Sequence, residues 1–283
     1  MLHTTINIPR GILKDYILFV AIREFDCHQS ELLKPVHANH EIHMMFLIDC
    51  KMHDFKNEEN QRPKYIVRKS TNPGCNFAGL LTSMKGSIVF KGHIKLMTIQ
   101  FKPTGFYRLF GIPPSEITDC LGDGCDLFSR EILELHEQLH EAKTSVEMFQ
   151  LTEQYLMEQL HIRRIKSHIS TLEKASEYLI NDQNPYSIKE LAYHSNMSLK
   201  TFERKFVEQV GISPKLFARI RRFNAALDLK TYQPDLSWLD ICYKAGYYDQ
   251  MHLIKDFKVF AGLPPSVFYK NSPPLYEVIS KEQ

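Results

Sequence analysis

The C-terminal part of the chain states one pattern twice. Ser187, Leu191 and Ala192 recur as Ser237, Ile241 and Cys242 at an offset of 50 residues. Ser198, Phe202, Phe206, Gly211, Pro214 and Phe217 recur as Asp249, Leu253, Phe257, Gly262, Pro265 and Phe268 at an offset of 51. Self-similarity at a fixed period of this size marks one supersecondary unit used more than once. The extra residue falls between the two halves of the unit, where a turn belongs.

Each unit reads as two short helices joined by a tight turn. Ser187 is placed to cap a helix through Ala192, and Ser198 to cap a second one running to about Val210 and stopped by Gly211. Small Ala192 lets the two helices cross closely, while Phe202 and Phe206, four residues apart, form a buried stripe. In the second unit Asp249 is the cap, Leu253 and Phe257 face inward, and Gly246 supplies a turn position where a positive φ is commonly required. This is the layout of a helix-turn-helix, whose second helix presents its N-terminal residues to base edges in the major groove.

On that layout the candidate DNA-contacting residues are Lys200, Thr201, Glu203 and Arg204 in the first unit and Gln250, Met251, His252 and Lys255 in the second. Glu203 would either accept from a cytosine amino group or exclude wrong sequences. Between the units, a linker helix is expected from Pro214 to about Leu229. Its arginines Arg219, Arg221 and Arg222 are candidate phosphate contacts, with Arg221 placed in the binding set.

Ser198 through Phe217, Ala245-Gly246-Tyr247-Tyr248-Asp249-Gln250 and Pro264-Pro265-Ser266-Val267-Phe268-Tyr269 resemble the two-motif DNA-binding domain of AraC-type bacterial transcription regulators. The resemblance covers roughly residues 168–270 and is more specific in the second motif. Its main departure is Cys242, where the family usually has alanine. It implies an all-α domain of seven helices with double-stranded DNA as partner. RNA polymerase is implied as a second partner, with activation the commoner mode.

Charge agrees with this division. Up to His161 there are 17 basic against 20 acidic residues, a net of −3, and beyond it 18 against 13, a net of +5. A basic excess confined to one part suggests an anionic partner for that part. His161-Ile162-Arg163-Arg164-Ile165-Lys166 is read as the connector, giving domains of 1–161 and 162–270 and a polar tail of 271–283.

The front part is β-rich up to about residue 112, with short apolar or alternating runs at 42–48, 77–81, 87–90 and 96–101 separated by breakers such as Asn72-Pro73-Gly74 and Lys85-Gly86. From 129 to about 160 the period becomes helical, with Ile132, Leu133, Leu135, Leu139, Phe149, Leu156 and Leu160 spaced as two amphipathic helices. This part resembles the sensor portion of the same regulators, a cupin-like β-barrel followed by a helical dimerisation segment. Phe101-Lys102-Pro103-Thr104-Gly105-Phe106-Tyr107-Arg108-Leu109-Phe110-Gly111-Ile112-Pro113 is similar to the end of one such sensor class. The expected fold class is therefore α+β: a barrel with two helices, then an all-α domain with two helix-turn-helix motifs. A small-molecule effector in the barrel and a homodimer through the two helices are the expectations that follow.

The competing reading is a cupin-type metalloenzyme domain fused to a DNA-binding domain. His37, His40 and His43, with Glu41 and Asp49 nearby, invite it. In a strand, however, a spacing of three alternates faces, so three imidazoles could not converge without a bulge or turn. No Ser/His/Asp order, phosphate loop or HExxH is present. No catalytic residue, metal or cofactor is expected.

Six cysteines, Cys27, Cys50, Cys75, Cys120, Cys125 and Cys242, form no CxxC pair and no dense disulfide framework, so reduced thiols are expected. The longest apolar run, starting at Tyr16, breaks at Arg23-Glu24, far short of a membrane span. Met1-Leu2-His3-Thr4-Thr5 has no secretion signal character, which makes a cytoplasmic location the expectation.

Overall fold

The computed structural model describes residues 3–27, 32–56, 74–128, 131–162, 171–180 and 186–271. Among these residues seven antiparallel strands build one sheet: β1 (His3–Asn7), β2 (Ile17–Asp26), β3 (Leu32–Pro35), β4 (His43–Lys56), β5 (Cys75–Ala78), β6 (Ser87–Phe101) and β7 (Leu121–Asp123). The pairing path is β1-β2-β6-β4-β5-β7, with β3 added on β6. Among the described residues no pair joins β1 to β7, so the path does not close on itself.

β6 is the spine of the sheet. The runs 87–90 and 96–101, expected as separate strands, belong to this one 15-residue strand. Gly92 takes a φ of 74° and carries the strand through the polar interval between them. β2 likewise continues past Arg23-Glu24, which pair with Leu96 and Lys95.

Period-two alternation along β6 gives the sheet two apolar faces. Met97, Ile99 and Phe101 join one core cluster, which includes helical residues such as Ile132, Leu135 and Leu156. Ile94 and Leu96 join a second cluster with Phe25, Leu47 and Phe90.

Short helices α1 (Gly105–Phe110) and α2 (Pro114–Ile117) follow β6, and α3 (Glu131–Glu141) and α4 (Ser145–Ile162) come after β7. The helical spacing in the sequence put two amphipathic helices there. Their buried residues are Ile132, Leu135 and Leu139 on α3 and Met148, Thr152, Tyr155, Leu156 and Leu160 on α4.

The rest of the described chain is helical: α5 (Thr171–Ile180), α6 (Ile188–His194), α7 (Leu199–Val210), α8 (Pro214–Tyr232), α9 (Trp238–Lys244), α10 (Gln250–Phe260) and α11 (Pro265–Asn271). The linker helix α8 runs three residues beyond the expected end at Leu229. The connector residues 163–166 and the tail 272–283 lie outside the described residues.

The sheet and the helices share one core. Ile22, Phe46 and Phe101 of the sheet belong to the same buried cluster as Phe202, Phe217 and Phe257 of the helical part. Among the described residues no helix is long and apolar enough to cross a membrane. Among the described residues Cys27, Cys75, Cys120 and Cys242 are in no disulfide.

Candidate nucleic-acid interface

The two units are built by the same local devices. Ser187 accepts from Glu190 N, and the Glu190 side chain accepts from Ser187 N at 2.7 Å, a reciprocal capping box at the start of α6. Ser237 caps α9 through Asp240 N at 3.1 Å. Ser198 caps α7 through Thr201 N at 3.2 Å, and Asp249 caps α10 through His252 N at 2.8 Å. Each cap satisfies an amide that the first helical turn leaves without a partner.

The turns match bond for bond. Asn196 N donates to Tyr193 O and Met197 N to Ala192 O; Gly246 N donates to Tyr243 O and Tyr247 N to Cys242 O. Asn196 and Gly246 both take a left-handed backbone, at φ 53° and 74°. Asn is the side chain that tolerates this conformation best after Gly, and the offset of 50 would have revealed the pairing in the sequence. Phe202, Phe206, Leu253 and Phe257 are all buried, as the stripe required.

The outward faces carry most of the candidate contacts. Lys200, Glu203 and Arg204 are exposed on α7, and Gln250, Met251, His252 and Lys255 are exposed on α10. Arg204 keeps 67% of its side chain exposed and lies 3.7 Å from Glu208, one turn on. Thr201 and His252 are equivalent positions, and both are tied to their caps. Ser198 Oγ donates to Thr201 Oγ1 at 2.9 Å, and His252 Nδ1 lies 3.3 Å from Asp249 Oδ2. Thr201 is half-buried.

The arginines of α8 diverge. Arg219 Nη2 donates to Asp256 Oδ1 at 2.6 Å, clamping α8 to α10. Arg222 lies over the Tyr247 ring at 5.3 Å. Arg221 is half-buried and sits near Glu41 and His40 of the sheet part, whose ionisation it influences. Residues two apart on a helix point about 200° apart, so Arg219 and Arg221 cannot serve one surface.

His37 and His40 belong to a strap laid across the helical part. Ala38 N donates to Phe260 O at 2.9 Å. The His37 ring packs edge-on against Phe223 and Phe268, and the His40 ring against Phe217. Asn224 Nδ2 donates to Ala38 O at 3.0 Å, which turns its Oδ1 toward His40 Nδ1 at 2.8 Å. His43 Nε2 lies 3.4 Å from Glu41. Among the described residues no cluster of three or more His, Cys, Asp or Glu is gathered as a metal site. His37 and His40 lie between β3 and β4, so their divergence comes from separate partners rather than from strand alternation.

Burial lowers the His40 pKa, and nearby Glu41 and the Asn224 hydrogen bond only partly oppose it. Burial alone would raise the Glu41 pKa, but the hydrogen bond from His43 and the charges of His40, His43 and Arg221 hold it at about 2.

A second seam ties the end of β6 and helices α1 and α2 to the helical part. Thr104 donates from both N and Oγ1 to Glu173 Oε2. Burial raises the pKa of this carboxyl, with the Thr104 hydrogen bonds and Lys102 opposing. Tyr107 Oη donates to Glu208 on α7 at 3.1 Å, and Thr118 Oγ1 donates to Gly211 O at 3.2 Å. α2 packs along α7. The 101–113 motif of the sequence thus becomes a joint that touches a candidate recognition helix. That role was not visible in the sequence, because each contact crosses tens of residues.

Residues 191–271 match the model of a helix-turn-helix domain family. A curated relative from Haemophilus influenzae, described as an uncharacterized HTH-type transcriptional regulator, is 37% identical over 90 residues. That stretch is 31% of this chain and only 30% of the relative's length. Among solved structures, ToxT from Vibrio cholerae aligns over 97% of this chain and 99% of its own, at 11% identity and a TM-score of 0.46. Unsaturated fatty acid bound ToxT aligns over 90% and 95%, at 9% identity and a TM-score of 0.45. With the duplicated capped units, the matched turns and the family match in hand, the C-terminal region of this chain is an AraC-type helix-turn-helix domain.

Proposed function

We propose that the chain is a sequence-specific DNA-binding transcription regulator in which residues 162–270 read DNA and residues 1–161 control the reading. The observation that carries this is the duplicated unit: two capped second helices, each buried on an aromatic or aliphatic stripe and exposed on the opposite face. Lys200, Glu203 and Arg204 on α7 and Gln250, Met251 and Lys255 on α10 are the base-reading candidates. Thr201 and His252 orient their helix N-termini through the caps. Two such helices in one chain suit successive major-groove segments about one helical turn, roughly 34 Å, apart on one face of the duplex.

Control would pass through the two seams. The strap holds α8, α10 and α11, while α1 and α2 hold α7. An effector or partner that binds the cupin-like front part in one seam geometry better than another would shift how the two readers are presented. Such a shift can be no larger than that difference in affinity. Activation through RNA polymerase belongs to the same reading, as does a homodimer through α3 and α4. Val146 and Met157 stay exposed on α4 at 65% and 43%, an apolar surface that a second copy could cover.

The test is selection of binding sites from a random duplex pool by the full-length chain. Enriched sequences with two blocks of preferred bases about one helical turn apart support the proposal. No enrichment over the starting pool would overturn it.

A further inference from the structure

The two units match through Met197 and Tyr247 at an offset of 50, and resume at Ser198 and Asp249 at an offset of 51. Tyr248 is the residue without a counterpart. It stands immediately before the cap of α10 and is 86% exposed, and its ring lies 6.5 Å from that of His252. The insertion thus adds one aromatic side chain at the N-terminal end of the second reading helix, without disturbing the turn before it or the cap after it.

The reading faces differ in chemistry along the same register. Where α7 offers Lys200 and Glu203, α10 offers Met251, 61% exposed, and Ile254, half-exposed. Tyr248, Met251 and Ile254 are spaced by three, which places Met251 and Ile254 on one side of the helix beside Lys255. Exposed apolar side chains gathered at a functional face mark a surface that is covered in use. In the major groove the apolar group on offer is the C5-methyl of thymine, whereas guanine presents two acceptors and cytosine an amino donor.

We infer, building on the DNA-binding reading above, that the two units read chemically different half-sites. The first reads a G·C-rich block through Lys200, Glu203 and Arg204, and the second reads thymine methyl groups through Tyr248 and Met251. Gln250, at the first position of α10, suits the adenine of an A·T pair, since an amide side chain can bond both N6 and N7.

The experiment takes the duplex selected by the full-length chain and replaces its thymines one at a time with deoxyuridine, which removes only the methyl group. One or two positions, confined to one half of the site, should weaken binding about fourfold each, the worth of one buried carbon at about 0.8 kcal/mol. Tyr248→Ala and Met251→Ala, both at exposed positions, should weaken binding to the thymine duplex and erase the difference between thymine and deoxyuridine at those positions. Equal binding of every deoxyuridine duplex would overturn the inference while leaving DNA binding intact. So would a methyl effect that survives in both variants, or a selected site with no thymine in either half. A pool that yields no enriched sequence would instead sink the DNA-binding reading itself, and this inference with it.

Discussion

Asn224 on α8 grips the strap from both sides of its amide: Nδ2 donates to Ala38 O at 3.0 Å, and Oδ1 lies 2.8 Å from His40 Nδ1. The first bond fixes the orientation of the amide, so the His40 ring presents a protonated Nδ1 to an acceptor and leaves Nε2 facing Glu41, 3.8 Å away. One side chain of the helical part thereby sets both the position and the tautomer of a buried imidazole in the other part.

Asn224→Ala should open this seam without unfolding either part. A buried donor left without its acceptor costs about 1 to 3 kcal/mol. The amide of Ala38, bonded to Phe260 O, should then exchange with solvent about 5- to 150-fold faster. Amide exchange resolved at Ala38 measures it, and an unchanged rate would mean that the strap is held by its ring contacts alone.

The seam should weaken in acid. The His40 pKa is held below its ordinary value by burial, so the folded state favours the neutral ring. Its contribution is complete above the ordinary histidine pKa of about 6.5 and is lost as pH falls through the lowered folded value. Glu41, held at about 2, acts in the same sense but further into acid. Exchange at Ala38, corrected for its intrinsic pH dependence, should begin to rise as pH falls below about 6.5 in the wild type. His40→Gln, which keeps a donor for Asn224 and removes the titration, should flatten that rise.

Two glycines with left-handed backbones should respond differently to alanine. At Gly246, φ 74°, a Cβ would meet only Arg222 Cδ, at 3.9 Å, so Gly246→Ala should cost about 1 to 2 kcal/mol for the backbone alone. At Gly211, φ 107°, the Cβ would press on Thr118 Oγ1 at 2.9 Å, Pro114 Cβ at 3.0 Å and Leu80 Cδ1 at 3.1 Å. Gly211→Ala should therefore cost more and also loosen α2 from α7. Thermal unfolding of the two variants should rank Gly211→Ala below Gly246→Ala.

Arg204→Ala and Lys255→Ala should each cost about 1 to 3 kcal/mol of DNA binding and relax base preference in different halves of one operator. Arg221→Ala should leave the salt dependence of binding unchanged, because the charge of this half-buried arginine acts on Glu41 and His40. A lost phosphate contact would instead lower the slope of log affinity against log salt by about 0.9. Titrations of single-base operator variants at several salt concentrations separate these outcomes.

Purified protein should carry no stoichiometric metal, because His37 Nδ1 and His40 Nδ1 are taken up by Ala38 O and Asn224 and the three rings are not gathered on one point among the described residues. Elemental analysis checks this. Near-stoichiometric metal that disappears in His37→Ala or His43→Ala would revive the metalloenzyme reading.

What could be read from the residue order is what short-range physics decides. Ser198 and Asp249 cap helices because a side-chain oxygen reaches an amide three residues on, and Gly211 and Gly246 end or turn them because a missing Cβ makes a left-handed φ cheap. Phe202 and Phe206 are buried because they share a helix face. The duplication added a check: two copies of the same punctuation make a coincidence improbable. The alternation of β6 was equally local, although its length was not, since Gly92 interrupts the pattern without interrupting the ladder.

What only the tertiary structure decided is which surface each face meets. Helical geometry alone separates Arg221 from Arg219, but it does not say that Arg219 finds Asp256 on α10 while the charge of Arg221 acts on Glu41 of the sheet part. Nor does a spacing of three histidines reveal Phe217, Phe223, Asn224 and Phe260 on the far side of the strap. Those partners lie some 180 or more residues away along the chain. Their meeting depends on the packing of the whole core that Phe46 and Phe257 share, and no window of sequence holds enough of that core to fix it.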